Sequence, residues 1–188
     1  MQKGAGTGVP APFFISPDSQ STGTGRSDVA LDVDAFKQVL GRWTTGVTIV
    51  TSRAGDTIHG MTVSAFTEVS LEPPRVLVCA EKSSNTHPVI AEGGVFAVNI
   101  LARNQAALSD KFASKRDEHL RFEGVDWTTA QTGAPILPDT AAALDCHVHA
   151  AHESGDHVIY LGDVLWTRCD PDKPVLLYSS GAYGDFKG

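Results

Sequence analysis

The stretch RWTTGVTIVTSRAGDTIHGMTVSAFTEVSLEPP, residues 42–74, decides the fold. Two runs rich in Thr, Val and Ile flank a turn at 53–56, which predicts a β-hairpin. The second run, 60–66, is crowded with glycine and hydroxyl residues. Such residues let a flat, polar-edged ligand approach the backbone and offer it hydrogen-bond donors and acceptors. An ordinary Thr-rich hairpin is the alternative interpretation, because strands accept threonine freely.

Strand-like runs bounded by turn residues continue along most of the chain. We predict strands at about 46–52, 57–66, 75–80, 95–101, 142–152, 157–168 and 174–179. Many strands with few helices favour an antiparallel barrel over a parallel α/β sheet. No GxGxxG motif follows a strand, so a dinucleotide-binding Rossmann unit is excluded.

Three helices are predicted between the strands. The first carries an apolar stripe after an aspartate that can cap it, and we expect it to cover an open end of the barrel. The stripe comprises Phe36, Val39, Leu40 and Trp43, and the cap is Asp32 or Asp34. A second helix begins at Asn85 or Thr86, with Pro88 in its first turn, and ends at Gly93-Gly94. A third covers about 104–112, and 113–140 is predicted to be loop with short helical pieces.

Composition and charge restrict the domain organisation and the partners. Residues 1–28 are rich in Gly, Ser, Thr and Pro and predict a flexible arm, which leaves 29–188 as one domain. The net charge is −7 with no basic stripe, which argues against nucleic acid as a partner. No apolar run has the length of a membrane span, and no signal-peptide pattern is present. Three widely spaced cysteines predict free thiols and a reducing, cytoplasmic setting.

Seven motifs occur in a fixed order and cover about residues 34–186. They are TTGVTIVT (44–51), GMTVSAFTEVSLEPP (60–74), SSNTHPVI (83–90), FAVNIL (96–101), KFA (111–113), GDHVIYLGDV (155–164) and YSSGAYG (178–184). In this order they resemble the short-chain flavin reductases, which are FMN-binding split-barrel proteins. The resemblance implies an antiparallel split β-barrel with a few flanking helices. It also implies NAD(P)H-dependent reduction of FMN or FAD, release of reduced flavin to a partner monooxygenase, and a homodimer.

The resemblance places the flavin ring along the strand 60–66. Its predicted partners are Thr62, Val63, Ser64 and Ala65, together with Thr45-Gly46 across the hairpin. Because strand side chains alternate, Thr62 and Ser64 share one face, which fits two hydroxyls reaching one ligand edge. A hydroxyl pair that faces solvent is the alternative.

The flavin phosphate is predicted to lie where the second helix begins. Ser83, Ser84, Asn85 and Thr86 precede or start that helix, where free N–H groups and the helix dipole favour an anion. The alternative is a plain N-cap, which needs only one of these four residues. The resemblance adds three further cofactor-binding residues: Lys111 as countercharge, Phe112 beside it in KFA, and Asn99 in FAVNIL. Alternatively, Lys111 is an exposed lysine and the amide of Asn99 is satisfied by backbone.

The resemblance also implies a nicotinamide contact. It assigns His157 in Gly-Asp-His as the catalytic residue that touches the nicotinamide, with Asp156 able to orient it. Tyr183 is similar to the family's C-terminal aromatic residue near the same pocket, and core packing is its alternative. We expect no metal: in 145–152, His147 and His149 share a strand face that excludes Cys146 and His152, which is poor geometry for zinc.

Two rival functions remain open at this point. One is a split-barrel flavoprotein that retains its flavin and oxidises another substrate, and the other is a non-catalytic flavin- or haem-binding module. The motifs do not distinguish FMN from FAD, because both carry the ring and the first phosphate. They also do not distinguish NADH from NADPH, because no binder of the 2′-phosphate is identifiable.

Overall fold

The computed structural model describes residues 31–184 and 186, and these form three α-helices and twelve strands. The helices are α1 (Val33–Leu40), α2 (Thr86–Gly93) and α3 (Ala106–Ala113), with 3-10 turns at Arg103–Gln105 and Glu118–Leu120. The strands are β1 (Thr45–Gly46), β2 (Thr48–Ala54), β3 (Thr57–Val63), β4 (Phe66–Leu71), β5 (Pro74–Glu81), β6 (Val95–Ile100), β7 (Thr128–Thr129), β8 (Pro135–Ile136), β9 (Ala142–Ser154), β10 (His157–Cys169), β11 (Leu177–Ser179) and β12 (Ala182–Gly184).

Seven strands form one antiparallel sheet in the order β3-β2-β6-β9-β10-β5-β4. Its two edges, β3 and β4, are consecutive in the chain and are separated by Ser64 and Ala65 alone. Three Cα–Cα steps span at most about 11 Å, so the sheet must curl until its edges nearly meet. The edges do not pair with each other within the described residues, and the Ala65 carbonyl instead accepts from the Cys79 N–H at 3.1 Å. This arrangement confirms the predicted split β-barrel.

The barrel interior is filled by side chains from the inward faces of the strands. The cluster comprises Val50, Met61, Val63, Val76, Val78, Ala80, Ile90, Phe96, Val98, Cys146, Val158 and Tyr160. Ile90 belongs to α2, which contacts β2, β3 and β5 and ends at Gly94 with φ of 65°. The helix α2 therefore packs against the barrel and begins and ends where the sequence predicts.

The prediction for α1 is wrong in two respects. The helix ends at Leu40, so Trp43 lies beyond it, and none of its residues is buried. Val39 is 69% exposed and Trp43 is 77% exposed. The spacing of apolar residues identifies an apolar face of α1, but it does not identify the surface that covers this face. In a single chain, this face does not cover a barrel end.

Two strand predictions need correction. The strand predicted at 57–66 stops at Val63, and the separate strand β4 begins at Phe66 and returns alongside β5. Thr45-Gly46 is not across the hairpin from β3. It forms β1, which pairs with β11 in a separate three-stranded sheet with β12.

The remaining predictions fall into two groups. The third helix, the loop 113–140 and the other strand regions are confirmed within a few residues. The predicted arm, 1–28, lies outside the described residues. In the part of the chain that is described, no helix is long and apolar enough to cross a membrane.

Candidate functional site

A cleft of about 260 Å³ opens beside the short connection between the two barrel edges. One wall is β3 with its exit, and the opposite wall is the end of α3 with the loop that follows it. The start of β10 and the end of β5 form its rim. The lining residues are Met61, Thr62, Val63, Ser64, Ala65, Cys79, Glu81, Ser84, Phe112, Ala113, Lys115, Glu118, Arg121 and His157.

The four residues predicted to hold the ring, Thr62 to Ala65, all line this cleft. The Thr62 hydroxyl donates to the Ser109 carbonyl at 2.7 Å, which ties β3 to α3 and uses one of the two predicted hydroxyls. Ser64 is exposed, so its hydroxyl is available to a ligand. Thr62 and Ser64 also border an adjoining cavity of about 340 Å³, as expected for residues that share a face.

Gly60 has a different role from the one that its sequence context suggests. A Cβ at this position would lie 2.9 Å from the Phe112 ring and 3.1 Å from the Thr51 side chain. The missing side chain therefore makes room for Phe112 rather than for a ligand. Phe112 is fully buried, packs edge-on against Phe122 at 5.2 Å between ring centroids, and forms part of the cleft wall.

Of the polar residues before α2, Ser84 alone lines the cleft. Its Oγ accepts from the His87 N–H at 3.2 Å, so Ser84 is the side chain that caps the start of the helix. Ser83 is exposed and its Oγ donates to Oε1 of Glu81 at 2.6 Å. The predicted group of four is thus divided, with Ser83 turned toward the end of β5.

Asn85 and Thr86 are used within the protein. The Asn85 amide donates to Oε2 of Glu118 at 2.9 Å. Thr86 is buried, and its hydroxyl lies 2.7 Å from Nδ1 of His59. The structure therefore brings Asn85 and Thr86 beside the cleft without leaving their side chains available to a phosphate.

The cations of the cleft differ from the predicted one. Lys111 does not line it, and its Nζ donates to the Glu123 carbonyl. Lys115, which follows α3, lines the cleft and lies 3.1 Å from Oε2 of Glu81. The second cation is Arg121, which is 4% exposed. The predicted Lys111 thus lies outside the lining, whereas Lys115 and Arg121 are part of it.

Arg121 joins the two walls of the cleft. Its Nη1 donates to the Gly60 carbonyl at 2.8 Å and its Nη2 donates to the Ser114 carbonyl at 2.7 Å. Oε2 of Glu118 lies 3.5 Å from Nη1. The Nε of Arg121 is buried and has no partner among the described residues.

His157 lies at the rim of the cleft on the first residue of β10. Its Nδ1 lies 2.7 Å from Oδ1 of Asp156, and this hydrogen bond lowers the pKa of the Asp156 carboxyl below its usual value. The side chain of His157 is 45% exposed. Asp156 thus fixes the ring of His157 through Nδ1 and leaves Nε2 for a ligand.

Outside this cleft lie also Asn99, Thr45 and Gly46. Asn99 is fully buried, donates to Ile49 and Thr51, and accepts from the Leu137 N–H at 2.8 Å. Its amide is therefore satisfied inside the barrel wall, as the backbone alternative predicts. Thr45 lines a separate groove on the other side of Ser64 and Ala65, and Gly46 is its exposed neighbour.

Tyr183 borders the adjoining cavity rather than packing in the core. Its hydroxyl donates to Oδ1 of Asp110 at 2.6 Å and lies 2.9 Å from Oγ of Ser109. The ring packs against Tyr178 at 5.4 Å between centroids. Because this cavity shares Thr62 and Ser64 with the cleft, Tyr183 lies in a cavity next to the cleft.

A flavin fits the chemistry of this lining. The ring needs an apolar surface with hydroxyl or main-chain donors. Ala65 and Phe112 are apolar residues of the lining, and the exposed Ser64 supplies a hydroxyl. The phosphate needs clustered donors and a cation, which Ser84 and Lys115 supply. Among the described residues, no group of three His, Cys, Asp or Glu side chains is arranged to hold a metal ion.

Sequence reasoning missed seven residues of the lining. They are Met61, Cys79, Glu81, Ala113, Lys115, Glu118 and Arg121. Three of them lie in the run KRDEHLRF, 115–122, whose mixed charges are typical of a solvated loop. Leu120 and Phe122 are apolar residues within that run. They were the only sign in the sequence that part of the run packs against the protein. Burial raises the pKa of the Cys79 thiol, so Cys79 contributes an uncharged surface.

Comparison with known proteins adds an independent observation. Residues 40–187 match the family described as flavin reductase like domain. The chain is 40% identical over 152 residues to FMN reductase (NADH) SmoA of Agrobacterium fabrum, an alignment that covers 81% of this chain and 85% of that protein. It is 36% identical over 162 residues to HsaB of Rhodococcus jostii, the reductase subunit of a flavin-dependent monooxygenase, covering 85% of this chain and 82% of that protein.

The fold is shared with solved structures. The NADH:FAD oxidoreductase SgcE6 of Streptomyces globisporus, in complex with NAD and FAD fragments, superposes with a TM-score of 0.78 at 36% identity. That match covers 83% of this chain and 93% of the other. The similarity therefore extends over nearly the whole barrel and includes the segments that form the cleft.

Proposed function

Because the chain belongs to the family of flavin reductase like domains, we propose that it transfers hydride from NADH or NADPH to FMN or FAD. The observation that carries the proposal is the cleft that joins Thr62–Ala65, Ser84 and His157 in one solvent-accessible space. Relatives named as NADH-dependent FMN and FAD reductases support NADH as the donor. They also support both flavins as acceptors.

Different residues of the lining bind the flavin and the nicotinamide. Ser64 and the main chain of Thr62–Ala65 hold the ring beside Phe112, and Ser84 and Lys115 hold the phosphate. The bound flavin supplies the hydride acceptor. At the rim of the cleft, His157 contacts the nicotinamide and Asp156 keeps the imidazole oriented.

We propose a separate monooxygenase as the recipient of reduced flavin. HsaB is named as such a reductase subunit, and BorF is named as the flavin reductase component of a two-component tryptophan halogenase. A reductase that delivers its product must hold flavin only moderately. The exposed rim formed by His157 and Lys115 supports this requirement, because the ligand is not enclosed.

We also propose a homodimer, in which a second copy covers the apolar face of α1. Leu40 and Trp43 line a groove of about 530 Å³ together with Phe66 and Leu77. Patches of this kind are uncommon on monomers unless they bind something. Ser64 borders both this groove and the cleft, so a second copy seated here would lie next to the flavin, as the family resemblance implies.

A cytoplasmic location is the last part of the proposal. Cys79, Cys146 and Cys169 are all free thiols in the structure. Burial and the nearby Asp145 carboxylate raise the pKa of Cys146 to about 12. Free thiols of this kind are typical of a reducing compartment.

The experiment that tests the proposal is a steady-state assay of NADH and NADPH oxidation with added FMN or FAD, in all four pairings. We expect the rate of nicotinamide oxidation to rise with the concentration of free flavin and to saturate. A tight one-to-one yellow complex that oxidises neither nicotinamide would contradict it and would support a flavin-binding module instead.

A further inference from the structure

Glu81 and Lys115 form an ion pair across the mouth of the cleft. The Nζ of Lys115 lies 3.1 Å from Oε2 and 3.4 Å from Oε1 of Glu81, and both side chains line the cleft. Glu81 ends β5, whereas Lys115 lies in the loop after α3. The pair therefore connects the rim to the opposite wall at the point where a ligand enters.

Lys115 is the exposed cation of the cleft. Its side chain is 73% exposed, whereas that of Arg121 is 5% exposed and donates through both terminal nitrogens to main-chain carbonyls. Arg121 is therefore engaged within the protein. A phosphate that binds in the cleft and pairs with Lys115 must displace it from Glu81.

Glu81 is held in place by other contacts. The Ser83 hydroxyl donates to its Oε1 at 2.6 Å, and His157 is its direct neighbour across the β5–β10 pairing. The hydrogen bond from Ser83, followed by that from Lys115, lowers the pKa of the Glu81 carboxyl. The carboxylate thus remains ionised and at the cleft mouth after Lys115 leaves it.

We propose that Glu81 competes with the flavin phosphate for Lys115, and that this competition weakens flavin binding and favours release of the reduced product. The inference rests on the proposed function and assigns Glu81 as a residue that sets the affinity of the same site. Two physical effects act together: the ion pair must break, and the freed carboxylate repels the phosphate. Since exposed pairs are weak, the combined effect on the dissociation constant is about two- to fivefold.

The test compares two flavins in matched variants. Glu81→Gln is expected to lower the dissociation constant for FMN about two- to fivefold. It should leave that for riboflavin unchanged, because riboflavin carries no phosphate. Lys115→Gln is expected to raise the FMN dissociation constant, and adding Glu81→Gln to that variant should then have little further effect.

Glu153→Gln is the matched control. Glu153 pairs with Lys82 at 2.9 Å, carries the same charge and does not line the cleft. This variant should bind FMN like the wild type, which separates the local competition from the change in net charge.

The outcomes distinguish this inference from the function on which it rests. Wild-type protein that binds FMN normally, with an unchanged or raised dissociation constant in Glu81→Gln, would overturn the competition alone. An equal gain for FMN and riboflavin would also overturn it. A wild-type chain that binds no flavin would overturn the proposed function as well.

Discussion

His157 lies directly opposite Glu81 where β10 pairs with β5, and both side chains line the same cleft. One strand pair therefore carries the proposed nicotinamide contact and the carboxylate that holds Lys115. The two strand ends belong to the barrel wall, which is more rigid than a loop. The contacts proposed for the flavin phosphate and for the nicotinamide are therefore neighbours at the rim of the cleft.

Replacing His157 should separate chemistry from binding. His157→Ala removes the side chain that Asp156 orients at 2.7 Å, and we expect hydride transfer to slow by roughly 10- to 100-fold because the donor is less well positioned. The dissociation constant for flavin should change little, because the ring and phosphate contacts remain. Single-turnover reduction and a flavin titration measure the two effects.

The control for this variant is His152→Ala. His152 is exposed on β9 and does not line the cleft, so its removal should leave both quantities unchanged. Unaltered turnover in His157→Ala would refute the role assigned to this histidine.

Adding one methyl group at Gly60 should affect both the core and the site. In Gly60→Ala the new Cβ meets the Phe112 ring at 2.9 Å, so the ring must shift toward the cleft. We expect a loss of about 1–3 kcal/mol in the free energy of unfolding, together with weaker flavin binding. Urea denaturation and a flavin titration test this prediction. Gly46→Ala is the stability control, because a Cβ there meets no atom within 4 Å.

The stability of the fold should depend on pH through His59. Burial, followed by the nearby Arg121 cation, lowers its pKa from 6.5, whereas Glu118 acts in the opposite direction. Between the folded and unfolded pKa values the unfolded chain binds more protons, so stability falls as pH falls below about 6.5 and levels off below the folded pKa. The free energy of unfolding should therefore decrease on acidification from about pH 7.5 to about pH 5.5.

Two variants test whether His59 causes this pH dependence of the free energy of unfolding. His59→Gln keeps a side chain able to bond Thr86 but removes the titration, so its profile should be flatter than that of the wild type. His147→Gln, at an exposed position on β9, should retain the wild-type slope. Equal slopes in all three proteins would contradict the assignment to His59.

The proposed homodimer predicts the molecular mass of the protein in solution. Trp43→Glu places a charge in the apolar groove, where burying it against a second copy would be costly, so the variant should be a monomer. Light scattering after size-exclusion chromatography measures this directly. Leu71→Glu, which changes a residue that is 91% exposed and outside the groove, should remain dimeric. A monomeric wild type would contradict the dimer.

Sequence patterns predicted the elements whose signals are local. The helix α2 followed from Asn85 at its start and the left-handed Gly94 at its end, and both are confirmed. The strand β4 was missed because its register shifts between Glu68 and Ser70. This shift breaks the alternation of apolar residues on which strand prediction depends.

Sequence placed the part of the lining that is consecutive in the chain, and the motifs of the resemblance also placed Ser84, Phe112 and His157. Thr62–Ala65 lie together because they are consecutive, but the choice of Lys115 over Lys111 depends on where the chain turns after α3. The buried partners of Asn99 and Arg121 come from segments distant in sequence. No local pattern encodes such long-range hydrogen bonds.

A crystal structure of the protein with FMN tests the central claim most directly. We predict the ring along Thr62–Ala65 and against Phe112, the phosphate beside Ser84 and Lys115, and one ring face open toward His157. A flavin seated elsewhere, such as the groove lined by Trp43, with this cleft filled by the protein's own side chains, would contradict the account.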